Sequence, residues 1–354
     1  MAISNFQPEI WSAQVLSVLA KELVFAGAPC VNTQYEGDIR SSGDTVRVTN
    51  ITDPNIFAYT KDSDLTAVQA LTDAQQLLLI DQSWAFNFQV DDIDAAQVAS
   101  AGAVLSEAAA RAAFGLRDKA DTYVAGKIAG GAMNGVGVVD ASSTATNVYD
   151  LLLVQAAIKL DEANVPSQGR FMVVSPATYG KLLLDSRFIK ANEAGTSAGL
   201  RNGVVGEAAG FTILKSNNMP TRARSGLTAT TTNANPTLTA SPAGTWSAAD
   251  IGLAVTGTGV GASAKVVSVT ADGTSATLDV NSSASATISN VAVVANGIVA
   301  LGGSSIATTF AQQIAKVEAY RPQARFADAL KGLHLFGAKV LRPTALVAGS
   351  VKLS

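Results

Sequence analysis

The sequence is poor in the residues from which most active sites are built. It has one cysteine, Cys30, and one histidine, His334, in 354 residues. A single cysteine cannot form an intrachain disulfide. Together, these counts nearly exclude a His/Cys metal site within one chain and any catalytic triad that needs another histidine. His334 stands between Leu333 and Leu335, so we expect a strand or interface residue rather than a general base.

Charge is also scarce. Charged residues make up 15% of the chain, below the quarter that is usual for soluble domains. The net charge of −3 argues against a general nucleic-acid binder, which usually carries a basic patch. Hydrophobic residues make up 48%, enough for a large core. This composition suits a protein that covers its surface with copies of itself, and an unusually stable monomer would share it.

Targeting signals are missing as well. The N-terminal residues MAISNFQPEI lack a basic region followed by an apolar stretch. No apolar run approaches the length that a membrane-spanning helix needs. We therefore expect the chain to fold in a cytoplasm and not to span a membrane.

The N-terminal part shows one helical and two strand patterns. Helical spacing of apolar residues predicts an amphipathic helix over residues 8–25, as either a core helix or an arm on a neighbouring subunit. Asp44–Ile51 reads as one strand. Asp81–Val90 reads as another, because one face of it is aromatic: Trp84, Phe86 and Phe88 alternate with polar and small residues.

These two strands predict a long two-stranded finger, with residues 52–80 between them. That stretch includes Lys61 and the apolar run Leu77–Ile80. A two-stranded ribbon is marginal alone in water, so we expect its apolar residues to dock on something else. Lys61 is the kind of lysine that a covalent Lys–Asn cross-link between subunits would need, but a solvated charge at a loop tip explains it better.

A long helix follows. Residues 91–130 are rich in alanine, the best helix former, and a helix of roughly 35 residues within them spans about 50 Å. Gly130–Gly137 then reads as a turn. Asn147–Asn164 predicts a second helix. After it, the strand Arg170–Ser175, a helix capped at Ser175 with Pro176 first, and the strand Phe211–Ser216 form an α/β unit.

Residues 224–297 differ from the rest, since they consist mostly of Ala, Ser, Thr, Gly, Val and Asn. Asp272–Gly273 is a strong hairpin signal, and the pattern is that of a small β-sandwich or barrel. A disordered linker is less favoured, because Lys265–Val280 alternates. The predicted strands are Thr237–Thr239, Leu253–Gly257, Lys265–Thr270, Ala276–Val280 and Thr287–Val294, and the chain then returns with Ile298–Leu301, Ile314–Tyr320 and Leu333–Leu341.

No sequence motif requires a catalytic, cofactor-binding or metal-binding site. The glycines of Gly257–Gly261 resemble a phosphate loop, but a strand follows them where such a loop needs a helix. Acidic pairs such as Asp91 and Asp92 are not set in a pattern that demands a carboxylate dyad. We therefore predict no catalytic, cofactor-binding or metal-ligating residue.

Three segments carry a resemblance to a known family: Pro166–Phe188 (with RFMVVSPATYGKLLLDSRF at its centre), Val204–Pro220 (VVGEAAGFTILKSNNMP) and Glu318–Pro343 (EAYRPQARFADALKGLHLFGAKVLRP). With the order of arm, finger, long helix, α/β domain and returning strand, the chain resembles the major capsid protein of tailed bacteriophages. The nearest branch is that of podophage-like and actinobacterial phage coat proteins. No single motif is diagnostic, but their order is, and it covers nearly all of the chain outside the insert.

The resemblance implies an α+β fold of the Hong Kong 97 type with an inserted all-β domain. It divides the chain as follows: an N-terminal arm (1–34), an extended loop with peripheral-domain strands (35–90), a spine helix with the peripheral domain (91–147), the axial domain in two parts (148–223 and 298–320), the inserted β domain (224–297), and a closing peripheral-domain strand with the C-terminus (321–354). The insert is expected on the outer surface.

The implied function is a non-enzymatic capsid protein without cofactors. It would assemble as hexamers and pentamers into an icosahedral shell around a double-stranded DNA genome, in the host bacterial cytoplasm. Its partners would be its own copies, a separate scaffolding protein, a portal protein, DNA bound without sequence specificity and, where one exists, a decoration protein. The family-like arm begins almost at Met1, which implies the separate scaffold and argues against maturation by cleavage of this chain.

Candidate residues for contacts between subunits come from the arm, the finger and the aromatic strand: Trp11, Val15, Leu19, Lys61, Leu77, Leu79, Trp84, Phe86 and Phe88. Two other functions stay open. One is an encapsulin-like nanocompartment shell with a different cargo. The other is a hydrolase with a β carbohydrate-binding module, for which one histidine and unpatterned carboxylates offer little.

Overall fold

The computed structural model describes residues 24–34, 45–51, 73–92, 101–141, 148–185, 206–221, 223–294 and 298–353, together with 54, 56, 58, 61 and 62. Residues 8–23 of the predicted arm helix lie outside the described residues, as do Trp11, Val15 and Leu19, and the last two predicted positions, Val24 and Phe25, are not helical. Among the residues described, no helix has both the length and the hydropathy to cross a membrane.

The described part of the chain has its α-helices between residues 101 and 183, with strands before, among and after them. The helices are α1 (Ala101–Gly131), a π-helical turn (Val148–Val154) that runs into α2 (Gln155–Glu162), and α3 (Pro176–Leu183). The strands before the insert are β1 (Thr45–Ile51), β2 (Asp73–Leu79), β3 (Gln82–Asp91), β4 (Asn134–Asp140), β5 (Arg170–Val174), β6 (Glu207–Ala208) and β7 (Phe211–Lys215). Those of the insert are β8 (Arg224–Thr231), β9 (Thr237–Ser241), β10 (Ala254–Thr256), β11 (Val266–Val269), β12 (Ser275–Leu278) and β13 (Ala286–Val294), and those after it are β14 (Ile298–Ser304), β15 (Thr308–Tyr320), β16 (Ala327–Val340) and β17 (Leu346–Lys352).

The long helix forms as its alanine content predicts. α1 has 31 residues and is about 46 Å long at 1.5 Å per residue. The predicted turn at Gly130–Gly137 is only partly right. The helix does end at Gly131, but a strand, β4, begins at Asn134. The sequence did not reveal this strand because the segment 131–137 contains three glycines.

A six-stranded sheet, the host sheet, carries the main core. Its order is β4-β17-β14-β5-β7-β6. α1, the helical segment 148–162 and α3 contribute side chains to the same core, among them Ile128, Leu152 and Leu182. Ser175 caps α3 as predicted, because its side chain accepts a hydrogen bond from the Thr178 amide at 3.2 Å.

The second sheet is three-stranded, in the order β15-β16-β3. Its strands come from both ends of the chain, and α1 packs on its aromatic face. β15, within residues 298–320, pairs with β16, which in turn pairs with β3. β17 lies within 321–354, assigned to the peripheral domain, but it pairs with β14 and β4 of the host sheet.

The finger exists, but its predicted pairing is wrong. β1 pairs antiparallel with β2, from Thr45 opposite Leu79 to Ile51 opposite Asp73. Asp81–Val90 was the predicted partner, and this segment instead forms β3 of the three-stranded sheet. The apolar run Leu77–Ile80 therefore belongs mainly to the returning strand of the finger, where Leu78 is buried.

The insert forms a sheet of order β10-β13-β8-β9-β12-β11, with antiparallel pairing throughout. Its two outer strands also meet. The Val255 amide donates to the Ala264 carbonyl at 2.8 Å, and the Val266 amide donates to the Leu253 carbonyl at 3.1 Å. The sheet therefore closes into a small barrel around its own apolar core, which contains Trp246 and Leu278. The barrel alternative of the sequence prediction is correct, and the disordered linker is wrong.

Candidate subunit-contact surfaces

The finger presents apolar side chains to solvent. Leu77 is 46% exposed and Leu79 is 50% exposed, whereas Leu78 between them is buried. Leu77 and Leu79 line an open groove of about 430 Å³ between the finger and α1, which we call the finger groove. Its other lining residues are Asp81, Gly126, Lys127, Gly130, Gly131, Ala338, Lys339 and Val340.

The base of the finger is firmly attached to β16. Lys339 Nζ donates to the Leu77 carbonyl at 3.0 Å, and Gln76 Nε2 donates to the Leu341 carbonyl at 3.4 Å. A side chain at Gly337 would collide with the backbone of Leu79. The finger thus leaves the subunit at a fixed point, and its exposed leucines have a fixed position.

A polar cluster forms one wall of the finger groove. The Tyr123 hydroxyl donates to Asp81 Oδ1 at 2.5 Å, and Lys127 Nζ lies 3.9 Å from Asp81 Oδ2. Burial and this hydrogen bond raise the pKa of Tyr123 well above its usual value. Tyr123 therefore stays protonated and holds the Asp81 carboxylate between α1 and the start of β3.

The aromatic strand divides into a covered part and an open part. Phe86 and Phe88 stack with ring centroids 5.9 Å apart and are half-buried on a cluster that includes Leu116 of α1. Trp84 is 41% exposed, and Lys119 Nζ lies 5.1 Å from the centre of its ring. Of the three predicted contact residues, Trp84 thus offers the most surface to another chain.

The other predicted contact residues do not belong to the aromatic cluster of β3. Lys61 is exposed, and the arm residues lie outside the described chain. Sequence reasoning missed large exposed side chains elsewhere, among them Ile56 at 97% and Phe326 at 80%. A lone aromatic in the basic segment RPQARF, between two strands, could have indicated Phe326. Other missed side chains include Phe114, Leu151, Ile158 and Leu184.

The start of the described chain is held by one buried carboxylate, Asp121 of α1. Its Oδ1 accepts hydrogen bonds from the amides of Val24 at 3.1 Å and Phe25 at 2.7 Å. Its Oδ2 accepts from Asn218 Nδ2 at 3.1 Å. We call these four residues the arm anchor, because they fix the point at which residues 1–23 join the folded body.

Cys30 reports on the arm anchor. Its thiol is buried, and burial, followed by the charge of Asp121, raises its pKa far above the usual value, so it is a poor nucleophile.

Asp121→Ala should speed the alkylation of Cys30 at pH 8 about tenfold or more, since hydrogen bonds to a charged group are lost. Mass spectrometry of the native chain measures the rate. Asp118→Ala, a half-buried position on the same helix, is the control, and equal rates in the two variants would contradict the anchor.

His334 is a buried strand residue, as its apolar neighbours predict. It is 1% exposed, its ring lies 5.0 Å from that of Phe336, and it stands opposite Trp84 on β3. Among the described residues, neither ring nitrogen has a hydrogen-bond partner. Burial lowers the pKa of His334 to about 4, so the ring is neutral at pH 7.

The described residues contain no group of three or more His, Cys, Asp or Glu side chains that could hold a metal ion. The surfaces that stand out are instead apolar and extended, which is typical of contacts between protein chains.

Comparisons with known proteins agree with this geometry. Residues 82–247 match a family model described as phage capsid protein. Among curated proteins, no sequence matches significantly. A solved chain from Mycobacterium phage Che8 is 25% identical, with a TM-score of 0.60 and coverage of 98% of both chains.

Two further solved structures resemble the chain at lower identity. A capsid chain of cyanophage P-SCSP1u is 18% identical, with a TM-score of 0.58 and coverage of 100% of this chain and 91% of that one. A chain from Gordonia phage Cozz is 15% identical, with a TM-score of 0.51 and coverage of 88% and 82%. Both show the same overall fold.

Fold and site together define the class, which is the α+β capsid proteins of the Hong Kong 97 type. Residues 82–247 match the phage capsid protein family, and the similarity to the Che8 chain extends over nearly the full length of both chains. The family resemblance in the sequence is therefore confirmed.

Proposed function

We propose that this chain is the major capsid protein of a tailed phage, and that it assembles as hexamers and pentamers into an icosahedral shell around double-stranded DNA. The observation that supports this most strongly is the full-length similarity to the Che8 chain. The exposed leucines of the finger agree with it, because a two-stranded ribbon buries too little to be stable alone. In a closed symmetric assembly, each modest contact is repeated many times.

The other proposed partners follow from the family and from charge. They are a separate scaffolding protein, a portal protein, a decoration protein where one exists, and the packaged genome, with assembly in the host cytoplasm. A net charge of −3 suits a shell that encloses DNA without holding it, because tight binding to phosphates requires many basic contacts.

The test of the proposal is assembly. The chain is expressed with candidate scaffolding proteins and examined by negative-stain electron microscopy. Closed particles or capsomers are the expected result, and uniform monomers under every condition would refute it. Particles that enclose protein instead of nucleic acid would point to a nanocompartment shell.

A surface substitution tests where the subunits meet. The double variant Leu77→Asp/Leu79→Asp should reduce the yield of particles at least about tenfold, because the lost apolar burial recurs at every contact. The melting temperature of the unassembled chain should barely change, since both side chains are about half exposed.

The matched control for this variant is Val267→Asp. Val267 is 54% exposed on β11 of the barrel, away from the finger groove, and this substitution should leave assembly intact. Normal particle yield from the double leucine variant would show that the finger groove is not a contact between subunits.

A further inference from the structure

The barrel contacts the rest of the subunit through its middle as well as through its two connections. Between β9 and β10 lies the segment Trp246–Gly252, which we call the docking segment. Ser247 Oγ donates to the Ala129 carbonyl at 3.0 Å, and the Ala248 amide donates to the Ala132 carbonyl at 3.1 Å. Ala129 is in the last turn of α1, and Ala132 follows its end.

The hydrogen bond from Ser247 supplies a donor that the end of a helix lacks, and the one from Ala248 holds the residue directly after the helix. The last four carbonyls of an α-helix have no partner within the helix, and a basic side chain in the last turn often compensates. α1 has no basic residue in its last turn. Here the barrel supplies a hydroxyl to the Ala129 carbonyl in the last turn and an amide to the Ala132 carbonyl just after it, both from more than a hundred residues further along the chain.

The docking segment also touches the strand that follows the helix. A side chain at Gly135 of β4 would place its Cβ 2.5 Å from the Ala248 carbonyl oxygen and 2.8 Å from Ile251 Cδ1. Ala249 is 2% exposed and packs in the core of the host sheet. Contact this close means that β4 and the barrel cannot move separately.

Bonds inside the barrel hold the docking segment rigid. Asp250 is fully buried, and its Oδ2 accepts hydrogen bonds from the Ser247 amide at 2.9 Å and from Arg224 Nη2 at 2.7 Å. The Arg224 guanidinium lies 5.6 Å from the centre of the Trp246 ring. The Trp246 amide in turn donates to the Gly273 carbonyl at 3.1 Å. Ser247 therefore meets α1 in a fixed orientation.

We propose that the barrel ends the long helix and fixes the direction in which β4 leaves it. The barrel is then a structural part of the capsid fold, attached at its two connections and at the docking segment, and not only a module displayed on its surface. This proposal concerns the single subunit, so it stands or falls independently of shell assembly.

Hydrogen exchange with mass spectrometry on the full chain tests the proposal. Ser247→Ala removes the hydroxyl, and Ala248→Pro removes the amide while keeping a residue that the first position of a helical turn accepts. Each variant should speed amide exchange in residues 126–136 about fivefold or more, since a buried hydrogen bond is lost. Exchange in β11 and β12 should stay at the level of the parent chain, which shows that the barrel remains folded.

The control variant is Ser268→Ala, at an exposed serine of β11, and its exchange should match that of the parent chain everywhere. Unchanged exchange in residues 126–136 in the two docking variants would overturn the proposal. Equal acceleration along the whole chain would also overturn it, because the barrel would then contribute only general stability.

Discussion

Asp250→Ala should lower the free energy of unfolding by about 3–5 kcal/mol, the usual loss when one partner of a buried ion pair is removed. Asp250 is fully buried and pairs with Arg224, whose side chain is 21% exposed. Removing the carboxylate leaves the guanidinium and the Ser247 amide without this acceptor beside the Trp246 ring. Urea denaturation of the unassembled chain measures the effect.

Two further variants separate the ion pair from a general effect of losing an aspartate. Asp279→Ala removes an exposed carboxylate of the same barrel, which accepts a hydrogen bond from the Lys265 amide at 2.6 Å, and it should cost far less. Arg224→Met/Asp250→Leu replaces both charges by apolar groups and should regain most of the stability. A loss below about 1 kcal/mol in Asp250→Ala would contradict the assigned role of the pair.

Acid should destabilise the subunit through His334. The pKa of this ring is lowered to about 4 in the folded chain, by burial, from an ordinary 6.5. As the pH falls below 6.5, His334 becomes protonated in the unfolded chain, whereas in the folded chain it stays neutral until about pH 4. The stability that the neutral ring provides is complete above pH 6.5 and is lost between pH 6.5 and 4, at a cost of roughly 3 kcal/mol.

His334→Phe isolates this effect from the titration of carboxylates. Phenylalanine keeps a ring beside Phe336 and opposite Trp84, carries no proton, and removes two buried nitrogens that lack partners among the described residues. The variant should be more stable than the parent chain at pH 7, and the difference should grow toward pH 4. Parallel curves of unfolding free energy against pH for the two chains would refute the role of His334.

Elements with a clear local signal were predictable from sequence. The alternating aromatic residues of β3, the alanines of α1 and the Ser-Pro cap of α3 each determine a local conformation, and the structure contains all three. The barrel strands were predicted for the same reason. The exception is β8, whose sequence RSGLTATT alternates weakly.

Elements that depend on distant partners were not predictable. β17 is buried along six of its seven residues, LVAGSV, because it lies inside the host sheet, so it shows no alternation and was missed. The pairing of β1 with β2 was missed because the run of three leucines hides the period of two. Closure of the barrel depends on backbone bonds between β10 and β11, which leave no mark on the side-chain pattern.

The candidate contact surfaces show the same division. Leu77 and Leu79 stand out as apolar residues in a polar stretch, and the structure leaves both exposed. Phe86 and Phe88 are likewise apolar residues next to polar ones, but they pack on Leu116 of their own subunit. Sequence alone cannot distinguish them, because the covering helix is brought to β3 by the tertiary fold.

The closed barrel has a consequence for how this protein behaves at high concentration. An open six-stranded sheet would have two edge strands with unpaired amides and carbonyls. Such edges can pair with those of neighbouring molecules and form fibrous aggregates. Here hydrogen bonds from Val255 to Ala264 and from Val266 to Leu253 join the two ends of the sheet. Closure therefore shortens the exposed strand edges of a low-charge module, which has little electrostatic repulsion to keep its copies apart.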